Sequence, residues 1–453
     1  MSVVNNRNEF IRTLWKLMLP IVVQNLISAV VSTADVLMLS SVSESALSAS
    51  SLAGQVTFTL TLFYSGLSTG ASILAAQYWG RRDRGTIGKV QGIALRWSCL
   101  ISLLFFAAAL CTPCVLMRIF TNDSRLIELG GHYLRWGSPS YLMMGVSQML
   151  LAVMKSVGQT KRSAQIAASC LVCNILLNAA VIFLLFPGRE TGALSGVAAA
   201  TSAARALEVL LCLGAIRRGE GVRSTLQSCI TAEAWLAKDF WKCTLPVQAN
   251  YLIWGGATAA IAAILGHIGS QVVAANSLAT TLRTLVIVGC SGLGTAGSIM
   301  IGNALGNNDL DGARLMGSRI FSGSLLLGAV SGLFLLTLYR PCLALTKLEG
   351  GAPWLFGRML AVNAVYCVGK SFNSSMVGGV FCAGGDTRFG LVCDTVAMWG
   401  VILPLGLLAA FVWRWPPIAI YIVLCMDEFV KLPFVMARFR KYKWLKNLTR
   451  SSS

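Results

Sequence analysis

Charge is scarce in this chain of 453 residues: Asp, Glu, Lys and Arg together make up 12% of it, about half the share usual in a soluble globular domain. Acids are scarcer than bases, 18 against 37, and there are only two histidines. The first shortage excludes an ordinary water-soluble fold. The second leaves no histidine-rich metal or proton-relay cluster, since His132 and His267 fall at the outer ends of apolar stretches with no ligand set beside them. A phosphate-cradling glycine loop, a zinc-binding helix motif and a nucleophile elbow are all missing, so nothing in the sequence points to an enzyme or a cofactor. The fourteen cysteines include two CxxC pairs, Cys111/Cys114 and Cys170/Cys173. Lying in apolar segments, these are expected to be small buried residues rather than a redox or metal site.

What is abundant is apolar sequence, 55% of the chain. Twelve stretches reach the roughly twenty residues that carry a helix across the hydrocarbon: 14–40, 52–79, 90–110, 133–157, 163–186 and 191–216, then 240–266, 271–304, 319–338, 354–382, 388–412 and 416–436. The first is too long for a cleaved signal peptide and contains Asp35. About 24 of the 37 basic residues fall on the termini and the even-numbered connections, against about 8 on the odd ones, which predicts cytoplasmic termini in a multi-pass plasma (inner) membrane protein. The net charge of +19 is therefore a loop property, a topology signal that also touches anionic lipid, and no nucleic acid is expected.

The chain is also a duplication. At a constant offset of 226, Trp15, Lys16, Leu19, Pro20, Leu26 and Ile27 recur as Trp241, Lys242, Leu245, Pro246, Leu252 and Ile253. The 34 residues from Ser50 match those from Asn276 at 11 positions, where chance gives roughly two or three. The expected fold is thus an all-α polytopic membrane protein, with twelve transmembrane helices in two pseudo-symmetric six-helix lobes around a central cavity. The lobes run over residues 1–216 and 240–437. A cytoplasmic linker, 217–239, joins them, with Ile230, Ala234, Trp235 and Leu236 able to lie at the interface, and a basic tail, 438–453, closes the chain.

Chemistry in such a fold comes from polar groups inside the helices, where they are expensive and usually face a cavity or pair with one another. Asp35 has Ile261 as its repeat-mate, so the scaffold does not require it, and it is the first candidate for binding a cation or carrying a proton; the competing reading is that it merely bonds a neighbouring helix. Asn174 and Asn178 stand one turn apart on the fifth helix. If that face meets the first helix, their oxygens join Asp35 in coordinating a cation or tuning its proton affinity; interhelical amide hydrogen bonds are the competing reading. The second lobe offers Gln248 and Tyr251 on the seventh helix, Arg283 on the eighth, Lys370 and Asn373 on the tenth and Asp394 on the eleventh, as residues of a substrate cavity. Lys370 and Arg283 either neutralise Asp394 or a carbonyl, or bind an anionic group of the substrate. Arg205 and Lys431 match at the repeat offset. With Glu208 three residues beyond the first, and Asp427 and Glu428 four and three before the second, both lobes are expected to hold local structural ion pairs.

The motifs SVGQTKR at 156–162 and AGGDTRF at 383–389, the prolines of the first and seventh helices and the closing KWLKNLTR together resemble the multidrug and toxic compound extrusion (MATE) family over nearly the whole chain. Asp35 is similar to the acid that family carries in its first helix, and Asn174 to its fifth-helix asparagine. Two positions depart from the family pattern: Asn178 stands where a second acid is frequent, and Tyr251 where many relatives have Glu. The resemblance implies a monomeric secondary active antiporter with small-molecule substrates and lipid around it, exporting amphiphilic compounds against inward protons or sodium by alternating access. The alternative within the same superfamily is a lipid-linked oligosaccharide flippase, in which Arg283 and Lys370 would hold a pyrophosphate.

Overall fold

The structure, a computed structural model, describes residues 7–222, 233–345 and 351–450. Ile230 of the expected interfacial linker lies outside these. Every regular element among the described residues is helical. Numbering the principal rods in chain order gives α1 (Arg7–Ser40), α2 (Glu44–Gly80), α3 (Arg84–Cys111), α4 (Ser124–Ser156), α5 (Thr160–Ala180), α6 (Glu190–Arg217), α7 (Ala234–Ile268), α8 (Ser270–Gly306), α9 (Leu310–Thr337), α10 (Ala352–Asn373), α11 (beginning with Thr387–Thr395) and α12 (Pro417–Leu424, then Asp427–Arg440). Nine of them are long and apolar enough to cross a membrane; α4, α10 and α12 are not. Helices suit this solvent because each backbone group finds its partner within its own segment.

Two compact units emerge. One comprises residues 23–244; the other comprises 1–22 and 245–453. The chain thus changes unit inside α1 and α7, close to the repeat-related Pro20 and Pro246, and not in the connection at 217–239. Nor does α7 wait until residue 240: it begins at Ala234, and Leu236 is buried.

Within each unit the fourth helix of the repeat is central. α4 lies against α2, α3 and α6, and its counterpart α10 against α8, α9 and α12. Small residues make this approach possible, as membrane helices require. At Gly145 of α4, the hydroxyls of Ser98 and Ser102 on α3 and of Tyr64 on α2 occupy the space a Cβ would take, and Ser98 donates to the Gly145 carbonyl at 2.8 Å. At Gly332 of α9 a Cβ would run into the Ala364 carbonyl of α10.

The duplication extends to backbone detail. Arg82 and Asn308, 226 apart, both adopt positive φ, 65° and 60°. The following Asp83 and Asp309 each cap the next helix by accepting the amide N–H three residues on, at 3.0 and 2.9 Å. Gly158 and Gly385 take left-handed φ at corresponding points of the two short motifs.

Three features depart from a plain twelve-rod reading. α12 is broken: Leu424 ends its first piece and Asp427 begins the second, so Asp427 and Glu428 occupy a first turn, where the helix dipole favours negative charge. Stretches of π-helix follow α5 (Val181–Leu185) and α10 (Ser374–Phe381), and two more interrupt α11 (Val396–Ile402 and Leu408–Val412). Finally, the tail is not simply a basic strand on lipid. Trp444 is wholly buried and stacks on Phe439, and Gly384 leaves no room for a Cβ beneath the Trp444 carbonyl. Arg438 clamps Asp386 of the AGGDTRF motif with two bonds of 2.7 and 2.8 Å.

Cys170 is buried and Cys173 partly so, but Cys111 and Cys114 are exposed, because they sit where α3 ends and the short helix Pro113–Arg118 begins rather than inside a packed rod.

Candidate functional site: an unpaired acid in one unit and an ion network in the other

In the first unit Asp35, five residues before the end of α1, is half-buried. It accepts a hydrogen bond of 2.9 Å from the Asn178 side-chain amide of α5. Asn178 is 1% exposed and also donates, at 3.4 Å, to Asn174 Oδ1; Asn174 in turn donates to Thr201 of α6 at 3.3 Å. The i, i+4 spacing puts both amides on the face of α5 that meets α1 and α6. No cation pairs with Asp35 among the described residues. Asn178 Oδ1 is buried without a hydrogen-bond partner, an uncommon state for an amide oxygen in a packed interior. The π-turn at Val181–Leu185 starts three residues after Asn178, and such turns recur beside functional groups.

Farther along α6, Arg205 pairs with Glu208 at 2.9 Å, and Glu208 also takes the Ser147 hydroxyl of α4 at 2.7 Å. These contacts tie α6 to α4.

The second unit is organised differently. Lys431 of α12 reaches Asp394 of α11 at 2.8 Å, Glu428 at 3.2 Å and Asp427 at 3.5 Å. Asp394 also accepts from Asn250 of α7 at 2.9 Å. Lys370 of α10 pairs with Glu428 at 2.9 Å, and Asn373 donates to the Glu428 backbone carbonyl and carboxylate at 2.7 and 2.8 Å. Tyr366 completes the set, donating to Glu428 at 3.4 Å. Glu428 is 1% exposed and Lys431 4%. Charges this deep are tolerated because each has a partner and further hydrogen bonds.

Of the two cations weighed against Asp394 in the sequence, then, Lys370 goes to Glu428, and it is Lys431 that neutralises Asp394. Arg283 does neither; it donates to Asn363 at 2.8 Å and lies over the Tyr366 ring at 4.7 Å. Asp394 and Asn373 belong to the ion network. Gln248 is buried and Tyr251 half-buried, on the same helix as Asn250. Asn250, Thr201, Asn363, Tyr366 and Tyr421 are the site residues that sequence reasoning missed. For Asn250 the available signal was an amide between two residues already singled out.

A model of the MatE family matches residues 20–180 and 246–408, more than two thirds of the sequence and one segment in each repeat. The chain belongs to the MatE family. Among curated relatives, this MatE protein is similar to the uncharacterized transporter YisQ of Bacillus subtilis, with 20% identity over 96% of this chain and 95% of that one. It is also similar to the probable multidrug resistance protein NorM of Bradyrhizobium diazoefficiens, 24% identical over 96% and 93% of the respective chains. Among solved structures, a MATE protein in the bent conformation superposes with a TM-score of 0.86 at 17% identity, covering 97% of this chain and 96% of that one. A MOP superfamily transporter from Pyrococcus furiosus, described as having a binding pocket of reverse polarity, gives 0.85 at 18% identity, covering 95% of each chain. At these identities the superpositions establish the fold alone, an all-helical architecture of two six-helix repeats.

Proposed function

We infer that this chain is a secondary active antiporter of the plasma membrane that exports small amphiphilic compounds in exchange for protons or sodium, by alternating access, with its termini in the cytoplasm. The names of its relatives support the export of drugs, and the asymmetry of polar residues supports the coupling.

One observation carries the reading: Asp35 is an acid inside the helices with no cationic partner among the described residues, bonded to an amide whose own oxygen is unsatisfied. In its charged form Asp35 takes the Asn178 N–H. Once protonated it becomes a donor, and Asn178 Oδ1 is an acceptor waiting on the same side chain. A desolvated cation uses the same two oxygens instead, with Asn174 and Thr201 next in line. In either case the incoming ion removes the desolvation cost of an unpaired carboxylate, and so biases the helices that hold it toward a different packing. Lys370, engaged by Glu428, is no longer available to a pyrophosphate, which takes one of its two cations from the flippase alternative.

The test is Asp35→Asn in proteoliposomes, with proton and sodium gradients imposed separately. The expected result is loss of gradient-driven efflux by at least about tenfold, equivalent to about 1.4 kcal/mol or more. Undiminished coupled efflux in the variant removes Asp35 from the mechanism, and transport that ignores both gradients ends the antiport reading.

A further inference from the structure

Three basic side chains stand among the polar groups of α8, α10 and α12, and they are held in different ways. Lys370 and Lys431 each touch at least one carboxylate. Arg283 touches none among the described residues. Its neighbours are neutral: Asn363, which accepts one N–H, and Tyr366, whose ring lies beneath the guanidinium. Asn363 is itself fully committed on its amide nitrogen, to Tyr421 Oη at 2.8 Å and the Met359 carbonyl at 2.9 Å, so its oxygen is fixed toward Arg283.

Tyr366 separates two charge domains. Its hydroxyl bonds to Glu428 while its ring carries Arg283. On the Glu428 side, Asp394, Asp427 and Glu428 face Lys370 and Lys431. On the other side stands a guanidinium with five N–H donors, of which Asn363 takes one. Arg283 keeps some exposure, and among the described residues its guanidinium makes one hydrogen bond, to Asn363. Its repeat-mate is Thr57, which bonds Tyr141 instead. The duplication does not require a cation at this position.

We propose that Arg283 is the recognition group for the anionic end, a carboxylate first of all, of an amphiphilic substrate. Tyr366 and Asn363 hold the guanidinium in place; Asp427 attracts it only from beyond bonding distance, and a directly bonded counter-charge arrives with the cargo. A planar oxyanion fits the two-pronged donor geometry of Arg better than that of Lys. The proposal rests on the antiporter reading, since it treats the ligand as what is exported, but binding can be measured without any gradient.

The probes are pyrenebutyrate, pyrenebutanol and pyrenebutyl trimethylammonium, which share a ring and differ in the charge of the end group. They are titrated by fluorescence into the full-length protein in phosphatidylcholine nanodiscs. Pyrenebutyrate is expected to bind at least about tenfold more tightly than the alcohol, as a charge-assisted bond implies. Arg283→Gln should abolish that preference, and Arg283→Lys should keep part of it. If Arg283→Gln does not fold, the wild-type preference and its reduction in Arg283→Lys still decide the matter. No preference for the carboxylate in the wild type, or one that survives unchanged in both variants, overturns the proposal. So does loss of pyrenebutyrate binding on adding phosphatidylglycerol, which would assign the site to a lipid headgroup. Failure here with intact coupled efflux leaves the antiporter reading standing. Carboxylate-selective binding with uncoupled transport would sink that reading instead.

Discussion

The two repeats of one ancestral unit have treated buried charge in opposite ways. The first unit gives one acid, Asp35, an amide and, among the described residues, no cation. The second collects three acids and two lysines on α10, α11 and α12 and closes them on one another. Even a cation they share by position has diverged: Arg205 pairs with an acid three residues away, while Lys431 also reaches across to α11. An unpaired acid in a low-dielectric interior changes its energy greatly when it takes up a proton or an ion. A network in which every member has a partner is comparatively indifferent. On the proposed function the first unit is the one that responds to the ion, while the second keeps its charges closed on one another.

The largest expected effect attacks the holding network. Lys431→Met leaves Asp394, Asp427 and Glu428 with only Lys370 to offset them, and should cost about 3–5 kcal/mol of stability, the range for breaking a buried pair from one side. It is read as a lowered Tm of the solubilised protein. Adding Asp394→Asn to that variant should recover part of the loss. Asp35→Asn should do the reverse: Tm is unchanged or raised, because an unpaired charge has been removed, while coupled efflux falls. If the two substitutions alter Tm and transport alike, the division of labour between the units is wrong.

The duplication, the twelve rods and the singling out of Asp35 were legible in the sequence, because each depends on period, offset or the cost of a charge in hydrocarbon. The pairing of cations with acids was not. Lys370 and Glu428 are 58 residues apart, and whether they meet depends on how α10 and α12 are rotated about their axes, which no local pattern encodes. The pairing of Asn250 was hidden for the same reason: its partner Asp394 lies 144 residues on. The π-stretches that begin just after Asn178, Asn373 and Asp394 leave no composition signature. Of the tail, the basic charge and the closing motif were legible; that Trp444 is buried and that Arg438 pairs with Asp386 were not.

A smaller contrast lies at the two short motifs. In the second unit the motif supplies the acid, Asp386, and the tail the base, Arg438, in a two-pronged pair whose acid is 6% exposed on its side chain. In the first unit the motif supplies the base, Arg162, and the acid is Glu220, at 2.8 Å with side chains 31% and 39% exposed. That bond with Asp386 strengthens the hold of Arg438 on its proton. Arg438→Ala should cost about 1–3 kcal/mol, the penalty for stranding a nearly buried carboxylate. Arg162→Ala should cost less than about 1 kcal/mol, as exposed pairs do. Equal losses of Tm would remove the distinction.

The weakest link is the bond from Lys89, on the first turns of α3, to Glu233, one residue before α7. Both side chains are more than two fifths exposed. Lys89 holds the Glu233 carboxyl below the usual range. A carboxyl whose pKa is lower folded than unfolded adds stability above its unfolded value and loses it as pH falls through the folded one. A small Tm gap between wild type and Glu233→Gln should therefore be present near pH 7. It should narrow as the pH drops below about 4.3, the ordinary glutamate value, and shrink in high salt, since exposed charges are screened. A gap that persists in acid would mean that Glu233 acts through packing rather than through its charge, and the connection between the repeats would then be held by something other than this ion pair.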